Sequence, residues 1–316
     1  MTPVNRGTAL LVLMLLVTAC GVPIEAPMPD PAIETIQAPI QPVPVAPAQE
    51  ATEEEIDDLV AGQAASDVLA PRPPERTDRP GRGSLTPPDW LGQRPLPLRA
   101  DGFGEIQPTP FELIDRRFAP STYLRLGSPT FESTSGSVPP DVLARSTWQE
   151  ACPVSSEELA YLTVSFLGFD GNPYIGEVIV NASVADEMVG VFRVMFENGF
   201  PLEEVRVIAP DELEAAPTGD GNVTTVFVCR PVTGGASWSQ HAYGLAIDIN
   251  PFHNPYLKSD LVLPELASVY TDRSLDLPGM IVEGDPVVQA FDAIGWGWGG
   301  RWTTLTDPQH FSANGR

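Results

Sequence analysis

The stretch Cys229-Arg-Pro-Val-Thr-Gly-Gly-Ala-Ser-Trp-Ser-Gln-His-Ala-Tyr-Gly-Leu-Ala-Ile-Asp-Ile-Asn-Pro251 decides how this chain is interpreted. In its second half apolar and polar positions alternate, which predicts a strand that carries Asp248 on the side opposite its apolar face. His241 lies an odd number of positions before Asp248, so on one regular strand the two side chains would point apart. A turn at Tyr243-Gly244 would bring both side chains onto one metal ion.

A third metal ligand must come from another part of the chain, and His310 near the C-terminus is the natural candidate. The chain has only three histidines. The third one, His253, lies in a Pro-Phe-His-Asn-Pro loop without a ligand-like partner and is the weaker candidate. Two imidazoles and one carboxylate leave a fourth position for water, which is typical of a catalytic zinc site.

Two further residues fit the chemistry of such a site. Asp307 lies three positions before His310, and Pro308 forces a turn between them. A carboxylate at this place can act as the general base without being a ligand. Arg230 follows a predicted strand and can bind a substrate carboxylate or a developing oxyanion.

The composition excludes one class of partner. The net charge is −24, which disfavours nucleic acids because their phosphates require a basic surface. The 35 prolines of the 316 residues are unevenly spread, so part of the chain is expected to lie outside a folded domain. We also expect a monomer.

The N-terminus has the pattern of an export signal. Arg6 precedes an apolar run that is too short to span a bilayer comfortably. The run ends in Val17-Thr-Ala-Cys20, which resembles the bacterial lipobox, where the cysteine is acylated. We therefore expect a signal peptide at residues 1–19, a lipid anchor at Cys20 and an extracytoplasmic, membrane-anchored lipoprotein of the cell envelope. An ordinary secretory signal with an incidental cysteine is the alternative.

Residues 20–115 are predicted to be an acidic, proline-rich, disordered linker, with a short helix possible at residues 51–69. The folded domain is predicted at residues 116–316, with a motif-bearing core at about residues 145–316. Cys152 and Cys229 lie within it. They are the cysteines that remain after Cys20, and outside the cytoplasm they are expected to form a disulfide.

The core shows patterns of both strands and helices, which predict a compact α+β domain. Strands are predicted at residues 159–169, 176–181, 204–209 and 224–229. One helix is predicted from a cap at Ser183 to a stop at Gly199. A second is predicted from Asp285 to Gly295, with Pro286 at its first position.

Two separated motifs resemble a known family. Ser239-x-His241-x-x-Gly244-x-Ala246-x-Asp248 and Asp307-x-x-His310 are similar to the signature of the M15 zinc D-Ala-D-Ala carboxypeptidases and related peptidoglycan peptidases. Trp296-Gly-Trp-Gly-Gly-Arg-Trp302 also looks like members of that family. The resemblance covers roughly residues 145–316 and implies a small α+β domain with an antiparallel sheet and a few packed helices.

The resemblance also implies roles for individual residues. His241, Asp248 and His310 would bind Zn²⁺, Asp307 would be the catalytic base, and Arg230 would steady the substrate or transition state. Ser239 matches a position near the metal, where it would contact substrate or a ligand. The tryptophans of the Trp296–Trp302 motif lie close before Asp307. Trp302 is the one we assign to the substrate cleft, because core packing is expected for at least two of the three.

The implied substrate is a peptidoglycan stem peptide, but the bond that is cut stays open. Many carboxypeptidases of this family carry Glu where Asp307 stands, and the Asp form is similar to the L-alanyl-D-glutamate endopeptidase branch. A carboxypeptidase would need a cation for the terminal carboxylate, and Arg230 and Arg301 are both candidates.

Two other classes of function are also compatible with the sequence. One is a non-catalytic cell-wall-binding lipoprotein that retains the peptidase fold. The other is a structural zinc site in an adhesion or signalling domain, which would need a fourth protein ligand, and His253 is the only histidine left for that role.

Overall fold

The computed structural model describes residues 83–120, 122–123, 126, 129–232 and 235–316. Within these residues the α-helices are α1 Pro140–Arg145, α2 Ala185–Glu197 and α3 Pro286–Ala293. The strands are β1 Ser133–Ser137, β2 Leu159–Leu167, β3 Pro173–Asn181, β4 Glu204–Val205, β5 Val223–Thr224, β6 Ala246–Asp248, β7 Tyr256–Lys258, β8 Leu261–Leu263, β9 Gly297–Trp298 and β10 His310–Ser312. Short 3₁₀ helices lie at Phe111–Leu113, Ser156–Glu158, Ala182–Val184, Pro210–Leu213, Gln240–Tyr243, Ser268–Thr271, Arg273–Leu275 and Gly299–Arg301.

The larger sheet is antiparallel, in the order β1–β2–β3. β2 and β3 form a hairpin whose register pairs Leu159 with Asn181 and Leu167 with Pro173. The turn between them contains Gly171 at φ 74°, a conformation that glycine adopts without steric cost. The two strands predicted from the sequence in this region are confirmed.

Helix α2 packs its apolar face against this sheet. The buried residues of that face recur at helical spacing: Met188, Val191, Phe192, Met195 and Phe196. Each large apolar side chain stabilises the fold by about 1.5–3 kcal/mol when fully buried. The helix ends before Gly199, as predicted, but the predicted cap is wrong. Ser183 lies in the preceding 3₁₀ turn, and it is the Asn181 side chain that accepts from the Ser183 N–H.

The smaller antiparallel sheet, in the order β6–β10–β9, carries the C-terminal motif. Phe311 on β10 stacks on Phe291 of α3, with ring centroids 4.0 Å apart. α3 begins at Pro286 after Asp285, and Gly295 follows it at φ 78°, so the predicted start and stop signals are confirmed. The small antiparallel sheets and few helices confirm the predicted α+β class.

Two predicted strands are shorter than expected. β4 and β5 are two residues each, and they pair in parallel. Beyond β5 the chain stays extended but does not continue one ladder, because its amides bond to different neighbours. The Phe227 N–H donates to Ile179 of β3, and the Val228 N–H donates to His241.

The segment Gly83–Pro120, here called the arm, packs against the folded unit. Leu113 and Phe118 are buried in an apolar cluster with Tyr270, and the Leu96 N–H donates to the Pro217 carbonyl at 2.8 Å. The linker prediction is therefore wrong for residues 83–115, whose apolar side chains are enough to anchor them.

The signal peptide, Cys20, the possible helix at residues 51–69 and the rest of the predicted linker lie outside the described residues. In the part of the chain that the structure describes, no helix has the length and apolarity needed to cross a membrane.

Cys152 and Cys229 form a disulfide, with their Cα atoms 5.9 Å apart. This confirms the predicted pair. The bridge joins the segment before β2 to the residue that immediately precedes Arg230, and it closes a loop with a sequence separation of 77.

Candidate metal centre

Three side chains distant in sequence converge at one end of the smaller sheet. His241 Nε2 lies 3.2 Å from Asp248 Oδ2 and 3.3 Å from His310 Nδ1. His310 Nδ1 lies 2.9 Å from Asp248 Oδ1. His241 and His310 are buried and Asp248 is half-buried.

The antiparallel register of β6 and β10 brings two of these side chains together. His310 pairs directly with Asp248, and directly paired residues project from the same face of a sheet. The Asp248 backbone is also fixed on its other side, because it exchanges both of its hydrogen bonds with Thr225. The backbone that carries the Asp248 carboxylate is thus held between neighbouring segments on both sides.

His241 reaches the same point from a 3₁₀ turn, Gln240–Tyr243, and not from the strand. Gly244 ends this turn at φ 67°, and a Cβ there would lie 2.5 Å from the Asn181 backbone nitrogen. Only glycine fits both the conformation and the close approach. The turn predicted at Tyr243-Gly244 is present. Because of this turn, the His241 side chain points towards Asp248, whereas on one regular strand the two would point apart.

Ser239 stabilises the start of this turn. Its hydroxyl caps the 3₁₀ helix by accepting from the His241 N–H at 3.3 Å, and the residue is buried. The structure therefore places Ser239 at the start of the turn, where it holds the backbone that carries the His241 imidazole. Ser239 does not line the groove that contains Asp248 and Asp307.

The other nitrogen of His241 fixes the tautomer of the ring. His241 Nδ1 lies 2.6 Å from the Val226 carbonyl oxygen, and a carbonyl can only accept, so Nδ1 carries the hydrogen. The other ring nitrogen, Nε2, faces Asp248 and His310. A second-shell acceptor of this kind is typical of metal-binding histidines.

The electrostatics favour an ionised carboxylate at the centre. Burial alone would raise the pKa of Asp248, but the adjacent His241 and His310 hold that pKa well below its usual range. Burial would lower the pKa of His310, yet its hydrogen bond to Asp248 raises it. Binding of a cation would therefore displace a proton from the imidazole of His310.

Asp307 lies beside this cluster and is held mainly through its backbone. Its N–H donates to the Gly299 carbonyl, and its carbonyl accepts from the His310 N–H, both at 3.0 Å. Its Oδ1 is shielded from solvent and has no hydrogen-bond partner among the described residues. Burial, reinforced by the charge of Asp248, raises the pKa of Asp307 to about 7.

The two candidate arginines occupy different places. Arg230 lines the groove that contains Asp248 and Asp307, and its charge lowers the pKa of Asp307 against the larger effect of burial. Arg301 instead forms ion pairs with Glu283 and Asp292 on the surface. Arg301 does not line this groove, and its guanidinium is paired with two carboxylates.

Trp302 packs on the outer side of the cluster, with its ring centroid 5.5 Å from that of His310. Its Nε1–H donates to the Gly315 carbonyl at 3.0 Å. Trp296 and Trp298 are buried in the core, as expected for two of the three. Trp302 thus contacts a member of the cluster, and it is not among the groove-lining residues.

His253 does not take part in the cluster. It is fully buried, stacks on Phe169 and lies 2.9 Å from the Arg116 carbonyl oxygen through Nε2. Burial lowers its pKa to about 3, so it is neutral at ordinary pH. Its role is structural, and it is not placed to be a fourth ligand.

A groove of about 690 Å³ leads away from Asp248 and Asp307. Sequence reasoning missed Tyr256 and Gln309, which also line it. Burial, and then the charge of Asp307, raise the pKa of the Tyr256 phenol. No periodicity or spacing in the sequence marks either residue, because the tertiary fold brings them to the groove.

The donor set fits a zinc ion. One ligand atom from each of His241, Asp248 and His310 lies within 4.8 Å of the others. Two imidazole nitrogens and one carboxylate are the ligands that catalytic zinc sites use, with a position left for water. Asp307 Oδ1, which is shielded and has no hydrogen-bond partner among the described residues, would be available as an acceptor for such a water.

Comparison with known families agrees with this geometry. Residues 233–313 match the family model Peptidase_M15_4, described as D-alanyl-D-alanine carboxypeptidase. No curated protein and no solved structure matches the chain. The matched segment contains all three members of the cluster and Asp307, while Arg230 and the arm lie outside it. The match and the His-Asp-His cluster together support an M15 family peptidase.

Proposed function

We propose that this chain is a zinc peptidase that hydrolyses peptide bonds in peptidoglycan stem peptides. The observation that carries the proposal is the position of Asp307, a shielded carboxylate without a hydrogen bond to Oδ1, three residues from His310. A buried carboxylate of this kind is unfavourable for folding, so its presence beside a metal-binding set points to catalysis.

The proposed ligands are His241 Nε2, His310 Nδ1 and a carboxylate oxygen of Asp248. Zinc bound there would supply a Lewis acid that activates water and polarises a carbonyl. The protein holds the donor atoms in place through the β6–β10 register and the 3₁₀ turn before Gly244, so that little rearrangement is needed on binding.

Asp307 is the proposed general base. In the metal-free protein its pKa is raised to about 7, and a zinc ion bound nearby would favour the ionised carboxylate that a general base requires. Asp307 takes a proton from the attacking water and then delivers it to the nitrogen of the departing amine. The two transfers leave Asp307 unchanged at the end of the cycle.

Arg230 is the proposed cation for substrate. It lies in the groove close enough to Asp307 to affect its pKa, and a guanidinium binds a carboxylate through two parallel hydrogen bonds. Its place fits both cuts, removal of a terminal D-alanine and cleavage between L-Ala and D-Glu, because each substrate carries a carboxylate near the scissile bond. Location in the cell envelope through a lipid anchor at Cys20, and a monomeric state, are part of the proposal.

The test uses the purified full chain, loaded with zinc, alongside Asp307→Asn. Both proteins are incubated with muropeptides, and the products are identified by mass spectrometry. Loss of one terminal alanine would establish a D,D-carboxypeptidase, and a cut between L-Ala and D-Glu would establish an endopeptidase. A wild-type protein that binds zinc and cleaves neither bond would overturn the proposal and favour a non-catalytic wall-binding protein.

A further inference from the structure

The groove is not built by the family-matched segment 233–313 alone. Its far wall comes from Leu91 and Gly92 of the arm and from the loop Ala215–Asn222, and both precede residue 233, where the family match begins. The near wall contains Asp248, Asp307 and Arg230. Part of the segment that the sequence assigned to a linker thus lines the same groove as the proposed reaction centre.

The arm and the loop are fastened to each other. The Gly92 N–H donates to Asp220 Oδ2 at 2.8 Å, and the Leu96 N–H donates to the Pro217 carbonyl at 2.8 Å. Gly219 has a φ of 71°, and a Cβ on it would lie 2.6 Å from the Leu96 side chain. The close approach leaves no room for a larger residue, so the two segments form one wall.

A buried ion pair anchors the arm from behind. The Arg116 guanidinium donates to Glu203 through Nε at 2.8 Å and to the Asp220 carbonyl through Nη1 at 2.7 Å. Glu203 also accepts from Asn222 at 2.8 Å. The same arginine therefore connects the arm, the segment before β4 and the groove-lining loop, which gives the wall a fixed position.

The charged side chains of the far wall are already paired. Arg206 contacts both Glu204 and Glu212. Asp220 accepts from Gly92 and Thr218, and Glu265 accepts from the Gly104 N–H. A charged substrate group would have to compete with these partners. Among the uncharged residues that line this side of the groove, five are small or apolar: Leu91, Ala215, Ala216, Pro217 and Pro264.

We propose that the arm and the loop Ala215–Asn222 form a subsite that binds a segment of the peptide substrate with small, uncharged side chains, beyond the residues that flank the scissile bond. This inference rests on the proposed peptidase function and adds a determinant of substrate length and side-chain size. The groove volume of about 690 Å³ is in the range of pockets that enclose drug-sized ligands, and these are much larger than one alanine.

The test compares the turnover of short and extended peptides. All peptides share one scissile bond. One ends next to that bond, and two others are extended by three alanines on the amino or the carboxyl side. A fourth and a fifth carry lysines in place of those alanines. For the zinc-loaded full chain we expect one alanine extension to raise kcat/KM about tenfold and the matching lysine extension to raise it little.

Ala216→Trp fills the subsite without touching the proposed ligands or base. We expect it to abolish the gain from the alanine extension and to leave kcat/KM for the short peptide within about twofold of wild type. Leu213→Trp is the matched control, because Leu213 is exposed on the same segment and does not line the groove. The control should keep the full preference. Unchanged melting temperatures show that both variants fold.

Several results would overturn the subsite. The first is that neither alanine extension raises kcat/KM in wild type. The second is that Ala216→Trp lowers the turnover of short and extended peptides equally. The third is that the lysine extension raises kcat/KM as much as the alanine extension does. In each of these cases cleavage still occurs and the proposed function stands.

If wild type cleaves no peptide, the proposed function fails and binding decides the subsite. Calorimetric titration with the alanine-extended peptides then replaces turnover. If the alanine-extended peptides bind to wild type and Ala216→Trp weakens this binding about tenfold, the subsite is supported. If they do not bind to wild type, the subsite is overturned.

Discussion

His310 and Asp248 lie directly opposite each other in the antiparallel ladder, and His310 Nδ1 is 2.9 Å from Asp248 Oδ1. One residue comes from a strand that immediately follows the His241 turn, and the other from the last strand of the chain. The contact depends on the register, because a slip of one residue would turn His310 to the opposite face. The proposed metal centre is thus a property of strand pairing.

Asp248→Asn should strongly weaken zinc binding. The amide keeps the size of the side chain but loses the negative charge that balances the cation, and we expect an affinity loss of at least about 100-fold. Competition with a chelating dye measures the affinity. Asp141→Asn is the matched control, since Asp141 is exposed in the first turn of α1. Equal zinc affinity in both variants would remove Asp248 from the ligand set.

Asp307→Asn should separate catalysis from metal binding. Zinc affinity should change little, whereas kcat should fall by about 10²–10⁴-fold because the general base is lost. Retention of wild-type kcat by this variant would exclude Asp307 as the base.

The same substitution should stabilise the metal-free protein at alkaline pH. The folded pKa of Asp307 is raised to about 7, so the folded state holds a proton that the unfolded state has released. Its contribution to the free energy of unfolding is present at low pH and is lost as pH rises from about 4 to about 7. Urea denaturation at about pH 8 should therefore show a metal-free Asp307→Asn that is more stable than wild type. A less stable variant would contradict the raised pKa.

The two arginines should respond differently to substitution by alanine. Arg230→Ala should lower kcat/KM for a substrate with a carboxylate beside the scissile bond, by about 10–100-fold. Arg301→Ala should leave kcat/KM unchanged and cost at most about 1 kcal/mol of stability, because its ion pairs are at the surface. A reversed order of effects would show that the arginine in the groove is not the substrate cation.

His253 should make the protein sensitive to acid. Its folded pKa is lowered to about 3 by burial, so the unfolded state binds a proton first as pH falls below about 6.5. The linked loss of stability between pH 6.5 and pH 4 is about 3 kcal/mol. His253→Gln should have a shallower dependence of the free energy of unfolding on pH in this window. Parallel curves for the two proteins would show that His253 does not titrate on unfolding.

The disulfide should contribute to stability and not to metal binding. The bridge closes a loop with a sequence separation of 77, and its removal should cost about 2–4 kcal/mol in the chain-entropy account. Cys152→Ser combined with Cys229→Ser should lower the melting temperature and leave zinc affinity at the wild-type value. A reductant should lower the melting temperature of wild type but not that of the double variant.

Much of this protein was determined by short-range patterns in the sequence. Residues that act locally determine three of its features: the hairpin β2–β3, the helix α3 with its proline start and glycine stop, and the turn before Gly244. The pairing of Cys152 with Cys229 could be assigned because these are the two cysteines that remain after Cys20. Such signals can be interpreted without knowledge of the fold, because side-chain periodicity and backbone preference act over one or two turns.

Tertiary structure alone decided the rest. It placed Arg230 in the groove and paired Arg301 with Glu283 and Asp292, although both arginines had looked equivalent in the sequence. It also folded the arm against the domain through Arg116 and a few apolar residues, in a segment whose composition had suggested a linker. These outcomes depend on contacts between residues far apart in the chain, and neither composition nor spacing encodes which distant partner a charged or apolar side chain will meet.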